Sequence, residues 1–328
     1  MLEDIVRAVR EYEGLLRKKP IHNIVDILKE ADCSFDRIIA DFGEDSAVID
    51  LDENLLVFAA DGVWDRLIKK DPWWAGYCAV LVNVNDVYAM GGEPIGMVNV
   101  VSMQNERFCF KAIEGMRDGV SKFNVPMLGG HIHPDSPYNS IDVAIIGTLK
   151  KEEIILSSSA RIGDDIIFAI DLDGKFYPKL LNWDSTTKKS KEEISRLYGS
   201  LRLLAKKALV RSGKDISNPG VLGTLGMLLE TSRKGAYVEV EKIPAPKEVE
   251  MKDWVRVYPG TGFIFTCDSE KTTKVIDILK AGGFSASCVG KIIEENILFL
   301  KHGSKEEVLF NFEEDIITGL RSEETKTK

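Results

Sequence analysis

The sequence predicts a two-domain protein built from α/β and α+β layers. Three observations predict it. The chain has 328 residues, enough for two domains of ~150 residues each. In the first half, short runs dense in Val, Ile and Leu intermix with segments of helical periodicity. Near 150–165 the texture changes to KKEE and SSSARIGDD, a charged and serine-rich stretch suited to a boundary. This divides the chain into 1–150 and 151–320, and the polar end RSEETKTK, 321–328, is expected to be disordered.

In order, residues 2–19 carry Leu2, Ile5, Val9, Tyr12 and Leu16 at helical spacing up to Pro20, and HNIVDILKEAD reads as a second short helix. SAVIDL, NLLVFAAD, PIGMVNVVSM, VPMLGG and DVAIIGTL read as strands. Asp71-Pro72, an N-cap followed by proline at the first helical position, opens a helix that runs to Gly91-Gly92. RFCFKAIEGMRDGVSKF gives another. In the second half DIIFAIDL is a strand and NWDSTTKK a polar loop. Ser190 and Glu193 form a capping box for a helix ending at Gly213. GKDISNPG is a loop feeding the helix VLGTLGMLLETS; then come GFIFTC, TTKVIDILKAGG, SCVGKII and NILFLK as strand, helix, strand and strand.

Composition narrows the function classes. Lys and Arg number 43 against 52 Asp and Glu, a net charge of −9 without a basic block, which argues against nucleic acid or a membrane surface as the main partner. A phosphorylated small molecule stays open, because a divalent cation can supply positive charge. Five widely spaced cysteines without a CxxC and the absence of an apolar leader or an ~18-residue apolar run point to a cytoplasmic protein. There is no GxxxxGK[ST], GxGxxG, GxSxG or HExxH.

What remains is a recurring acidic residue at the end of an apolar run: Glu44 and Asp45, Asp61, Asp86 and Asp215. Strand ends are where ligand sites gather in such folds. Converging carboxylates stay ionised only around a cation, and oxygen donors without soft ligands favour Mg²⁺. The plain alternative for each is a surface turn aspartate. Asn83 and Asp86 share a helix face at spacing three; the alternative there is a helix-end pair reaching solvent. The polar loop before helix 220–231 would suit an anion, or is only a capped helix start.

GGHIHPD, 129–135, holds two of the four histidines. At i,i+2 on a strand His131 and His133 point the same way, and Asp135 follows. A wall for phosphate or substrate ranks first, a structural role second and a zinc cage third, because no third strong ligand is at hand.

In this order, GEDSAVI, AADG, NVNDVYAMGGEP, GGHIHPD and KDISNPG resemble a superfamily: aminoimidazole ribonucleotide synthetase, thiamine-monophosphate kinase, selenophosphate synthetase and the hydrogenase maturation dehydratase. NVNDVYAMGGEP is the most specific match, and the resemblance covers roughly residues 20–300. DPWWAGYCAVLVNVNDVYAMGG and GKDISNPGVLGTLGMLLETS resemble the methanogenesis marker group of these proteins. The resemblance implies an N-terminal mixed sheet that pairs across a homodimer into a β-barrel, an α+β C-terminal domain, and ATP with Mg²⁺ near the dimer interface. It implies Asp45, Asp61 and Asp86 as metal ligands, Asn83, Gly129, Gly130, Asp61 and Asp86 around the nucleotide, and His131 and Asp215 facing phosphates or second substrate. Lys18 or Lys19 would neutralise developing charge, with Lys19 counted in the catalytic set; Lys214, Asn218 and His133 are candidates for the second substrate. Glu44 departs from the kinases' first Asp, which would shift one metal. KDISN lacks their Asp-Gly, against thiamine-phosphate chemistry. The cysteines that the selenophosphate and carbamoyl reactions need are absent.

The favoured reading is ATP- and Mg²⁺-dependent phosphoryl transfer to an oxygen of a small metabolite or cofactor precursor, yielding a phosphate ester or a phosphate-activated intermediate. The alternatives are a metal-dependent hydrolase on His131, His133 and Asp135, and a nucleotide-binding maturation factor without turnover.

Overall fold

The computed structural model describes residues 1–31 and 35–321. Cys33 and the tail from 322, expected to be disordered, lie outside the described residues. The elements are α1 (Leu2–Arg10), α2 (Glu13–Leu16), α3 (Ile21–Lys29), β1 (Ile38–Ala40), β2 (Ala47–Asp50), β3 (Leu55–Val63), α4 (Asp65–Lys70), α5 (Pro72–Ala89), β4 (Glu93–Ser102), α6 (Glu106–Phe123), β5 (Met127–His133) and β6 (Ser140–Leu149). The second half adds β7 (Asp165–Ile170), β8 (Lys175–Phe176), β9 (Trp183–Asp184), α7 (Lys191–Lys206), β10 (Ser212–Asp215), α8 (Gly220–Ser232), β11 (Gly235–Glu239), α9 (Met251–Trp254), β12 (Gly262–Cys267), α10 (Thr272–Gly282), β13 (Ser285–Ile293), β14 (Ile297–His302) and β15 (Lys305–Asn311).

The first sheet has the order β1-β2-β3-β6-β4-β5. It is antiparallel except for β4 and β5, which run parallel because α6 crosses between them. Register sets the faces. Asp61 pairs with Val143, Val143 with Asn99, and Asn99 with Gly130, so these four share one row and one side. That side carries Val57, Val143, Ile145 and Met97 and packs on α5. The opposite side, through Phe58, Val98, Val100 and Ile146, lies open.

α5 is buried almost all round, which explains its lack of a polar stripe. Asp71 caps it through Trp74 N at 3.0 Å, as its Asp-Pro start predicts. Ser190 and Glu193 close the expected capping box on α7.

The second sheet has the order β10-β12-β7-β13-β11-β14-β15. One apolar cluster joins α5 and α6 to α7, α10 and one face of this sheet, so the two halves share a core. A second cluster fills the other face with α8 and, from the start of the chain, Leu2, Ile5, Val9 and Leu15. The four described cysteines, Cys78, Cys109, Cys267 and Cys288, are free. Among the described residues no helix is long and apolar enough to cross a membrane.

Four expectations are corrected. The helix over 2–19 breaks at Tyr12, whose backbone is extended. Just after the break the chain passes close to the second half, where a Cβ on Gly14 would fall 2.2 Å from the Asn218 carbonyl oxygen. The NWDSTT loop is buried: Asn182 Oδ1 accepts from Trp74 Nε1 at 3.0 Å, and the Thr186 hydroxyl bonds the Tyr77 hydroxyl at 2.8 Å. GKD is an edge strand, Lys214 pairing with Ile264, and α7 ends at Lys206 with Ala208 in the left-handed region. The local signals of the sequence leave out β1, α4, β8, β11, α9 and β15.

Candidate functional site

Four carboxylates from four elements meet between the halves. Asp45 precedes β2, Asp61 lies on the inner side of β3, Asp86 is in the last turn of α5, and Asp215 ends β10. Their mutual influence is electrostatic. Burial raises Asp86 well above the usual carboxylate range, and the negative charges of Asp61, Asp215 and Asp45 raise it further. Asp215 is raised well above it too, by burial and then by Asp45, against the pull of Lys214. Burial likewise raises Asp45 and Asp61, opposed by Lys214 and by Lys18 respectively.

Two ammonium groups enter this field. Lys214 forms a buried ion pair with Asp45 Oδ1, and the Asp215 N–H donates to Asp45 Oδ2 at 3.1 Å. Both oxygens of Asp45 are therefore engaged by β10. Burial pulls the Lys214 ammonium down, but Asp45 beside it outweighs this and the net shift is upward. Lys18 is lowered, by burial first, despite the pull of Asp61 and Asp215.

Lys214 is committed to Asp45 and burial works against the charge on Lys18, so the cluster holds more carboxylates than its two lysines can pair. Buried oxygens without a partner mark the same place: Asp215 Oδ1, Ser46 Oγ, Ser217 Oγ and Asn83 Oδ1. Hard, unpartnered oxygens with residual negative charge fit a divalent cation such as Mg²⁺. Among the described residues, however, no group of three or more His, Cys, Asp or Glu is gathered closely enough to form a closed cage.

Several sequence candidates lie elsewhere. Lys19 is exposed and lines a separate cavity with Arg10, His22 and Asp315; it is Lys18 that faces the carboxylates. His131 and His133 are exposed on β5, their rings 4.7 Å apart. His131 pairs with Val100, and Val100 with Asp142, the row next to that of Asp61. Alternation puts this row on the open side of the sheet, so within one chain His131 and His133 project away from Asp61. Asp135 lies in the turn that follows.

Gly130 has a packing reason, since a Cβ would fall 2.6 Å from the Asn99 carbonyl oxygen, whereas Gly129 has open space around it. Asn83 Nδ2 donates to Ala79 O at 2.8 Å, leaving its buried oxygen free. Glu44 is fully used: its carboxylate accepts from Ser157 N at 2.5 Å and from Ser158 N and Oγ at 3.2 and 2.8 Å. It pins the turn between the halves, its carboxylate being committed to Ser157 and Ser158.

A cavity of about 360 Å³ adjoins the carboxylates. Gly62 and Val63, directly after Asp61, line it together with Asn218 and Tyr258. Burial raises the Tyr258 hydroxyl well above the usual phenol range, with Asp61, Asp215 and Asp86 adding to it. Tyr258 went unnoticed in the sequence because VYPGTG reads only as a turn. Asn85 was also passed over: it accepts from Tyr198 Oη at 2.7 Å and donates to Gly260 O at 3.1 Å, tying α5 to the second half.

Fold and carboxylate cluster define a class, and comparison with known proteins identifies it. Residues 43–149 match the AIR synthase related protein N-terminal domain and residues 153–303 its C-terminal domain. The chain belongs to this AIR synthase related family. An uncharacterized protein of Methanocaldococcus jannaschii is 46% identical over 322 residues, covering 97% of this chain and 99% of that one. The selenide, water dikinase of Carboxydothermus hydrogenoformans is 26% identical over 225 residues, 66% of this chain and 64% of that one.

Among solved structures, T. maritima PurL complexed with AMPPCP superposes with a TM-score of 0.75 at 16% identity. It covers 97% of this chain, which spans 51% of that one. AaThiL complexed with AMPPCP and TMP gives a TM-score of 0.65 at 18% identity, covering 88% of this chain and 96% of that one. At these identities the structures establish a shared fold. Relatives of the chain include a dikinase and a phosphoribosylformylglycinamidine synthase subunit of Methanopyrus kandleri.

Proposed function

We propose that this protein is an ATP- and Mg²⁺-dependent phosphotransferase or synthetase acting on a small metabolite. The observation that carries this reading is the four-carboxylate, two-lysine cluster with its unpartnered Asp215 oxygen. One or two of Asp61, Asp86 and Asp215 would hold the divalent ion, with substrate phosphate and water supplying the remaining oxygens, Asp45 being committed to Lys214. When bound there, such an ion would supply the positive charge that a polyphosphate and a transferred phosphoryl group need. Lys18 and Lys214 bring fixed positive charge to the same place, and Asn83 offers a buried acceptor beside Asp86. Such transfer needs positioning and neutralisation more than covalent help from the protein.

The chain would work as a homodimer through the open side of the first sheet. Phe58, Val98, Val100 and Ile146 form an apolar surface on neighbouring strands, and such a surface marks an interaction site. Pairing there would place His131 and His133 at the interface.

Calorimetry with AMP-PCP tests the reading. Binding should require Mg²⁺ and vanish in Asp61→Asn/Asp86→Asn; Mg²⁺-independent binding, or full affinity in the double variant, would overturn it. Sedimentation tests the dimer, which Val100→Asp should split.

A further inference from the structure

The 360 Å³ cavity beside Asp61 has a composition at odds with the rest of the chain. In a protein of net charge −9, its lining holds Arg66, Lys70 and Lys179 and no Asp or Glu. Arg66 and Lys70 stand at i,i+4 on α4 and so share a face. Lys70 donates to the Lys179 carbonyl oxygen, which draws the third cation to the same rim. Trp64 anchors this edge: the guanidinium groups of Arg66 and Arg17 lie 5.0 and 4.3 Å from its ring centroid.

The remaining walls are apolar, through Leu67, Val82, Leu180, Leu181 and Pro259. The end nearest the carboxylates is made by Gly62, Asn218 and Tyr258. The cavity thus combines polar groups near the carboxylates, apolar walls and three cationic side chains in its lining. Its volume lies within the ~300–1,000 Å³ of small-molecule sites.

Resting on the phosphoryl-transfer reading, we propose that this cavity binds the phosphoryl acceptor, and that the acceptor is a small organic anion. Its oxygen nucleophile points to the Asp61 end, its apolar body lies along the leucines, and a carboxylate or phosphate reaches the α4 rim. Arg66 is paired at 3.2 Å with Glu13, both side chains being largely exposed. Such a solvent-exposed pair is weak and easily exchanged, so a ligand's acid can take its place.

The test titrates the full-length protein, held with Mg²⁺ and AMP-PCP, with three probes of one shape: phenyl phosphate, 4-hydroxybenzoate and neutral 4-hydroxybenzamide. At least one acid should bind, and which of the two binds separates phosphate from carboxylate recognition. The amide should bind at least ~10-fold more weakly, as expected for two lost charge contacts. Arg66→Ala/Lys179→Gly should weaken the acid by a similar factor and leave AMP-PCP affinity unchanged; glycine also suits the left-handed backbone at Lys179.

The proposal falls if neither acid binds, if the amide binds equally well, if the double variant keeps wild-type affinity, or if AMP-PCP displaces the acid, which would make this the nucleotide's own cavity. Acid binding in a protein that never binds AMP-PCP would uphold the anion site and sink the phosphoryl-transfer reading. The two failures are therefore distinguishable.

Discussion

Lys214 and Asp45 join the two halves of the molecule through a buried ion pair, each side chain being about 5% exposed (6% and 5%). Removing one partner leaves an unpaired charge in a place from which water is excluded. Lys214→Met should lower stability by about 3–5 kcal/mol, and Lys214→Met/Asp45→Asn should recover most of it. Urea unfolding checks this. Equal losses in single and double variants would mean the pair contributes packing and not charge compensation.

Asp86 bears on binding and stability with opposite sign. Its carboxylate is buried beside three others, so Asp86→Asn removes like-charge repulsion. The metal-free variant should melt higher than wild type by a few degrees, as for about 1 kcal/mol in a chain of this size. The same change should weaken Mg²⁺·AMP-PCP by at least ~100-fold, since a ligand to the ion is lost. Thermal scans with and without nucleotide read both effects, and a variant that loses both melting temperature and affinity would refute the opposition.

Lys18 and Lys19 separate a site residue from its neighbour. Lys18→Ala should weaken AMP-PCP binding by about 1–2 kcal/mol, the scale of one charge-assisted contact, while Lys19→Ala leaves it unchanged. Calorimetry on the two variants settles which lysine serves the nucleotide.

Asp171 sets a pH dependence remote from the carboxylate cluster. Burial raises it from 3.8 to about 6, against the pull of Lys189. The folded state therefore holds this proton more tightly than the unfolded chain. Its contribution to stability is full below pH 3.8 and is lost as the pH rises through about 6, about 3 kcal/mol across the window. Asp171→Asn should flatten the fall in melting temperature over that range; an unchanged slope would exclude Asp171 as its source.

For the zinc reading, His131→Ala and His133→Ala should leave the metal content of purified protein unchanged. Both imidazoles lie on the exposed side of β5, and no third ligand is gathered with them among the described residues. Loss of one equivalent of zinc in either variant would revive a metal centre there.

Much of the fold was legible because its signals are local. The Asp71-Pro72 start of α5, the Ser190/Glu193 box and the period-two apolar runs each depend on neighbours within a few residues. The carboxylates were legible as a set because each ends an apolar run. The errors came where a distant contact decides. The break at Tyr12 precedes a close pass by Asn218, the burial of NWDSTT answers to Trp74 and Tyr77, and the assignment of Glu44 answers to Ser157 and Ser158. His131 failed for a geometric reason. Its side was readable only as parity along β5, and parity has meaning only once the register against β4 fixes which side carries Asp61.

The seating of α1 against β15 has a bearing on how the molecule is made. Helix α1 packs on a strand that lies far later in the sequence, with Arg10 donating to Leu309 O at 3.1 Å across 299 positions. At roughly 5–20 residues per second, translation leaves Leu2, Ile5 and Val9 bare for tens of seconds before their docking place exists. A nascent chain of this protein should therefore engage holdase chaperones through α1, and clipping residues 305–311 should leave α1 without its docking strand.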